Sequence, residues 1–334
     1  MNTVLPVQGA PLLRANDLAR AFPARRSLAQ LVGAAAPPAV RALNGVSLTI
    51  ARGETLAVVG ESGCGKSTLA RALVRLIDLD AGQIDFAGAN VRTLNGAALR
   101  HYNRRVQLVF QDPYGSLNPR MSVREMLDEA LSVHRIVPRA ARVGRIAELL
   151  SLVRLAPDAG ERLPHHFSGG QRQRIAIARA LAVEPDLLIA DEVVSALDVS
   201  VQAQILNLLL ELQQRLGLAI LFVSHDLRVV RHLAHRVAVM YLGQIVETGP
   251  ADLVFDAPRH PYTQALLRAA PTLVPGGRSR EAAISGELPS AMAIPPGCPF
   301  HPRCPRAIDL CRTTPPMDVL LAQGHRAACH LAGG

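Results

Sequence analysis

Apolar residues fall along this chain in two patterns. Short, nearly uninterrupted apolar runs occur at Leu56–Val59, Val106–Phe110, Leu187–Ala190, Ala219–Val223 and Val237–Tyr241. Runs of that length, bounded by polar and glycine positions, predict strands buried on both faces. Between them the pattern shifts to a 3.6-residue period. It is clearest from Val201 to Leu216, with apolar residues at 201, 205, 208, 209, 212 and 216 on one face. A further helical run spans Leu69–Leu79. Strands alternating with helices predict a mainly parallel α/β sheet.

The 334 residues leave room for one large domain or two of ordinary size. With 49% hydrophobic and 19% charged residues, composition excludes a disordered chain. No uncharged apolar run approaches the ~20 residues that span a bilayer. Leu216–Ser224 is only strand-sized, and Leu28–Val40 is broken by Pro37 and Pro38. The N-terminus shows no basic start followed by an apolar core, so the chain is expected to stay in the cytoplasm. Cysteine and proline divide it unevenly. Cys64 stands alone, Cys298, Cys304, Cys311 and Cys329 lie near the end, and 12 of the 24 prolines follow residue 256. An α/β body to Asp256 and a Pro-rich, Cys-bearing segment over 257–334 are expected, with Pro271–Arg280 as a linker.

A net charge of +9 raises nucleic acid or anionic lipid as partners. The detail argues otherwise. Of the 36 basic residues all but Lys66 are Arg, and they are spread along the whole chain. Only 3% of residues are aromatic and there is no Trp, so a base-stacking surface is poorly supplied and no nucleic acid is expected. The bias towards Arg makes the single lysine informative.

That lysine sits in Gly60-Glu61-Ser62-Gly63-Cys64-Gly65-Lys66-Ser67-Thr68, between a predicted strand and a predicted helix. This is a phosphate-binding loop in its expected context. Glycines let successive backbone N–H groups turn inward on phosphate oxygens, and the helix start adds its positive dipole end. A compact ammonium at Lys66 suits the cradle better than a planar guanidinium. Ser67 offers a hydroxyl to Mg²⁺, and Thr68 can satisfy backbone or phosphate groups. Cys64 reads as a small filler, with no base nearby to make it a nucleophile. The run Leu187–Ala190 ends in Asp191-Glu192, where Asp191 can orient Mg²⁺ through its water shell and Glu192 can polarise an attacking water.

Further motifs follow in order. Phe167-Ser168-Gly169-Gly170-Gln171 resembles the signature of ABC-type ATPases, Phe110-Gln111-Asp112 their Q-loop, Ser195-Ala196-Leu197-Asp198 their D-loop, and Ser224-His225-Asp226 their switch histidine. Phe110–Pro119, His260-Pro261-Tyr262-Thr263 and the Cys-rich end resemble the ATP-binding subunits of oligopeptide and dipeptide importers. The resemblance implies an α/β fold: a RecA-like core, an antiparallel β subdomain, an α-helical subdomain near 112–167, and a small Cys-rich domain over 257–334. It implies ATP bound between one subunit's loop and the Ser168, Gly169, Gly170 and Gln171 signature of a second, homologous ATPase subunit. Gln111 would reach Mg²⁺, His225 the γ-phosphate and water, and Asp198 would couple the two sites. Phe22 stands either for the aromatic that stacks on adenine or for an ordinary strand residue. Residues 113–135 would face two membrane permeases at the cytoplasmic face of the inner membrane, with a peptide-binding protein as indirect partner. Where the family usually has Pro after Asp-Glu, this chain has Val193. Import of nickel or another small solute is an alternative, and a soluble ABC ATPase acting on nucleic acid a further one.

The four late cysteines fit neither the short knuckles of a zinc ribbon nor the common ferredoxin spacings. A reducing compartment disfavours disulfides. Spacing leaves the metal open; the resemblance implies a [4Fe–4S] cluster on Cys298, Cys304, Cys311 and Cys329, with zinc as the alternative.

Overall fold

The five apolar runs become neighbouring strands of one sheet. A computed structural model describes residues 10–23, 39–269 and 287–333, so the expected linker Pro271–Arg280 lies outside the described residues. Strands β1 (Leu13–Phe22), β2 (Val40–Ile50), β3 (Thr55–Val59), β4 (Ala81–Phe86), β5 (Ala89–Asn90), β6 (Val106–Val109), β7 (Leu187–Asp191), β8 (Ala219–Ser224), β9 (Arg236–Tyr241), β10 (Gln244–Pro250), β11 (Asp318–Ala322) and β12 (His325–Ala328) form two sheets. The larger has the order β11-β12-β10-β9-β3-β8-β7-β6. Its β9-β3-β8-β7-β6 portion is parallel, as the unbroken apolar runs require of strands covered on both faces.

Alternate residues of these strands feed two separate cores. Leu56, Val58, Leu187, Ile189, Leu221 and Val223 pack with helix α1 (Lys66–Leu73) on one face. Ala57, Val59, Leu188, Ala190, Ile220 and Phe222 pack on the other, together with α2 (Val123–Val133), α3 (Arg142–Leu152), α4 (Gly169–Leu181) and α5 (Val199–Leu216). The smaller sheet, β2-β1-β4-β5, is antiparallel and joins the α1 face. Helices α2 and α3 lie within the 112–167 interval expected to be helical.

Two helix ends differ from the periodic pattern. The run Leu69–Leu79 is helical only as far as Leu73. Arg75 takes a positive φ of 57°, and its guanidinium donates to the carbonyls of Val91 and Leu94, which turns the chain away. Helix α5 ends as expected at Leu216, where Gly217 adopts φ 62°. Leu216 itself is 48% exposed, off the buried face its spacing suggested, as the last residue before the Gly217 cap.

The Cys-bearing end is built into the main sheet: β12 pairs antiparallel with β10, and β11 lies outside it. A buried carboxylate ties this edge together. Glu247 accepts from the Arg259 N–H at 2.7 Å and the His260 N–H at 2.9 Å, and its Oε1 lies 2.7 Å from His325 Nε2. Replacing His325 strands a buried carboxylate without its side-chain partner. His325→Ala is therefore expected to lower unfolding stability by about 3 kcal/mol in denaturant titrations. It should also expose 318–328 to protease before the rest of the chain.

Candidate functional site

The loop from Gly60 to Lys66 joins β3 to α1 and is held by close backbone contacts. Gly60 has φ 156° and Gly65 φ 111°. A Cβ at Gly60 would stand 2.2 Å from the Met240 carbonyl oxygen, and one at Gly65 would stand 2.2 Å from that of Ala42. Only glycine admits β9 and β2 this closely. Gly65 caps α1 without a side chain, so the helix start faces the loop with its N–H groups. Lys66, 4% exposed, donates from Nζ to the carbonyls of Gly60 at 2.9 Å and Glu61 at 3.0 Å. Ser62 and Gly63 form the exposed tip, and Thr68 is half-buried in the first turn. Burial pushes the Cys64 thiol up and Lys66 opposes this, leaving a packed thiol rather than an activated one.

Strand β7 delivers its carboxylates beside this loop. Ser67 Oγ donates to Asp191 Oδ1 at 3.0 Å. Burial raises the Asp191 pKa, and the Ser67 hydroxyl works against the rise. A hydroxyl and a carboxylate so placed are hard oxygen ligands suited to Mg²⁺. Glu192 takes a positive φ of 49°, with its N–H bonded to the Val223 carbonyl at 3.0 Å. This left-handed turn directs it out of the strand, and His225 Nδ1 lies 3.5 Å from Glu192 Oε1. Gln111 donates from Nε2 to Ser195 Oγ at 3.2 Å, and Ser195 donates from Oγ and N–H to the Glu192 carbonyl at 3.0 and 3.1 Å. Gln111, Glu192 and His225 thus meet around one turn. The Ser195 bonds brace the turn that carries Val193, whose side chain is buried in the core.

Ser168, Gly169, Gly170 and Gln171 belong to the opposite face. Ser168 caps α4 in a reciprocal box: its Oγ accepts the Gln171 N–H at 3.3 Å, and its own N–H donates to Gln171 Oε1 at 3.0 Å. Ser168 is exposed, and the first N–H groups of α4 have no partner within the helix. A Cβ at Gly170 would lie 2.3 Å from Val201 Cγ1, so small residues here let α4 press on α5. Asp198 is exposed at the start of α5 and makes no side-chain cap bond. Phe22 is half-buried at the end of β1, under the Arg20 guanidinium at 4.9 Å.

Residues 43–195 match the ABC transporter family, and residues 246–311 match the C-terminal region of oligopeptide/dipeptide transporters. A probable peptide ABC transporter ATP-binding protein of Sinorhizobium fredii is 53% identical over 294 residues, covering 88% of this chain and 83% of the relative. This chain belongs to the ABC transporter family. The dipeptide transport ATP-binding protein of Escherichia coli K12 is 49% identical over 307 residues, covering 92% of this ABC ATPase and 90% of the relative. A subunit of an ABC transporter complex from Clostridium perfringens superposes with TM-score 0.62 at 26% identity, covering 74% of this chain and 91% of its own. A dimeric bacterial ABC transporter cassette gives TM-score 0.62 at 26% identity, covering 72% and 98%.

The four late cysteines of the ATPase line one small cavity, together with His260, His301, His330 and Phe300. Burial raises the Cys298 thiol to about 11, and the neighbouring cysteines add to the rise. Among the described residues no three His, Cys, Asp or Glu side chains are gathered tightly enough to grip one metal ion. Tyr262 and Arg303 carry no role legible in the sequence, yet both contact Glu61 of the loop. The only signal was Tyr262 within His260-Pro261-Tyr262-Thr263.

The loop contacts separate two glycines by cost. Gly63 has φ 80° with nothing near its absent Cβ, so Gly63→Ala should cost about 1–2 kcal/mol of strain alone. Gly65→Ala adds a backbone collision. It should destabilise clearly more in thermal unfolding and displace β2 from the loop.

Proposed function

We propose that this ABC ATPase is the subunit that powers import of oligopeptides or dipeptides through a membrane transporter. The carrying observation is the division of the phosphate-handling groups between the two faces of one sheet. The Lys66 loop belongs to the α1 face and the Ser168 helix start to the other. One chain's Ser168 therefore serves an ATP held by another chain's loop, and closure of the pair depends on the γ-phosphate that bridges them. The dimeric cassette among the structural relatives supports a pair. A homologous second ATPase subunit fits the expected importer, with two permeases above the 113–135 face at the cytoplasmic side of the inner membrane. Among the described residues no helix is long and apolar enough to cross that membrane, which fits a peripheral subunit. The peptide-transport names of the relatives support the cargo class.

In this reading Lys66 and the loop N–H groups that are not engaged within the protein hold the β- and γ-phosphates, and Phe22 stacks on adenine; the Glu61 N–H is bound to Tyr262 and that of Cys64 to the Glu61 carbonyl. Ser67, Asp191 and Gln111 would hold Mg²⁺, which would neutralise phosphate charge when bound. Glu192 accepts a proton from the attacking water, whose position His225 shares. Asp198 carries the state of one site to the other. Glu192→Gln keeps size and hydrogen bonding but removes the base. Steady-state ATP hydrolysis should fall by at least ~100-fold, with ATP binding retained in an equilibrium titration. A variant that hydrolyses at the wild-type rate refutes the assignment.

The C-terminal segment, taken as a domain over 257–334, would hold a [4Fe–4S] cluster on Cys298, Cys304, Cys311 and Cys329. The four cysteines line one cavity, and thiolates are donors that either a cluster or zinc would take. Its role would be structural, tying the strand edge to the body. Protein purified without oxygen should be brown and absorb near ~400 nm, and any of the four Cys→Ser variants should lose the band. Colourless protein with one zinc per chain replaces the cluster with zinc.

A further inference from the structure

Glu61 lies at the first turn of the phosphate loop, and each of its polar groups is engaged. Its carbonyl accepts from Lys66 Nζ at 3.0 Å and from the Cys64 N–H at 3.3 Å, inside the loop. Its N–H donates to Tyr262 Oη at 2.9 Å. Its carboxylate receives both terminal nitrogens of Arg303, at 2.7 and 3.0 Å. Arg303 is 8% exposed, so solvent screens this two-pronged contact little. Both outer partners belong to the C-terminal part of the chain, and neither is used in the hydrolytic chemistry.

The two partners share one rigid support. Phe300 is buried against Tyr241 and Tyr262, with ring centroids 5.4 Å apart in each case, and Tyr241 and Tyr262 lie 4.6 Å apart. Arg303 closes the short turn His301–Arg303 that follows Phe300, and the Arg303 N–H donates to the Phe300 carbonyl at 3.0 Å. The rings fix the Tyr262 hydroxyl and the Arg303 backbone relative to one another. Glu61 is held between them.

We infer that Arg303 is a positioning residue for the phosphate loop, acting through Glu61 with Tyr262 as its second support. The inference rests on the reading of residues 60–68 as the nucleotide loop. The contact does two things. It neutralises a carboxylate that would otherwise oppose the phosphates electrostatically. It also holds the Glu61 backbone so that its carbonyl orients the Lys66 ammonium. Removing the guanidinium frees a negative charge beside the ATP site and loosens the lysine's support.

The test is equilibrium binding of a fluorescent ATP analogue to the full chain, with ATPase kinetics and thermal unfolding measured on the same samples. Arg303→Gln is expected to weaken binding about tenfold, the scale of one charge-assisted pair. The KM for ATP should rise while kcat changes much less. Adding Glu61→Gln to Arg303→Gln removes the unpaired carboxylate and should recover most of the affinity, which a purely structural staple would not do. Arg303→Lys keeps the charge but loses the fork, and should fall between wild type and Arg303→Gln. Should Arg303→Gln fail to fold, Tyr262→Phe keeps the ring stack and removes only the Glu61 N–H acceptor. It should weaken binding by about three- to tenfold. Wild type that binds ATP, with Arg303→Gln or Tyr262→Phe binding equally well, overturns the inference and leaves the loop assignment standing. Wild type that binds no ATP overturns both.

Discussion

Close backbone contact at the phosphate loop is the constraint on which the rest of the structure depends. Two carbonyl oxygens, from Met240 on β9 and Ala42 on β2, stand 2.2 Å from where side chains would begin at Gly60 and Gly65. The loop is therefore the meeting point of the two sheets. β9 belongs to the larger, mixed sheet and β2 to the smaller antiparallel one, and the Asn44 N–H donates to the Gly243 carbonyl at 2.8 Å where the two sheets meet. A loop so enclosed has little freedom to rearrange when phosphate arrives, so its N–H groups are organised before binding.

The sheet's two faces then divide the chemistry. Strand alternation sends odd and even residues to different cores, so the α1 and α4 helices start from opposite faces. Glu192 takes a left-handed backbone conformation just after β7. Strain of this kind, of order 1–3 kcal/mol, persists only where surroundings enforce it. Here the Val223 carbonyl and the Ser195 bonds do so. They stiffen the turn that carries Val193.

The C-terminal segment is part of the same design rather than an addition to it. Its strand β12 extends the main sheet through β10, Glu247 ties both to the start of helix α6 (Pro261–Ala269), and Tyr262 on that helix reaches the phosphate loop. A small cavity lined by four cysteines thus lies one aromatic cluster away from the Gly60–Lys66 loop.

Short-range features were legible in the sequence. The five parallel strands were predicted within one or two residues, because burial on both faces leaves unbroken apolar runs. The phosphate loop, Asp191-Glu192, and the Ser168 capping signature also depend on neighbours in the chain. Helix α1 ended early because Arg75 found carbonyl partners 16 and 19 residues away, which no periodicity records. The antiparallel strands gave no clean alternation: β1 is paired on both edges through irregular register, which breaks the period of two. The sequence by itself determined which local segments could bind phosphate, and that its single lysine lies in such a segment. Only the tertiary structure decided that Arg303, 242 residues from Glu61, is the cation that meets it. Among 35 arginines, composition distinguishes none; burial and the ring cluster around Phe300 select this one.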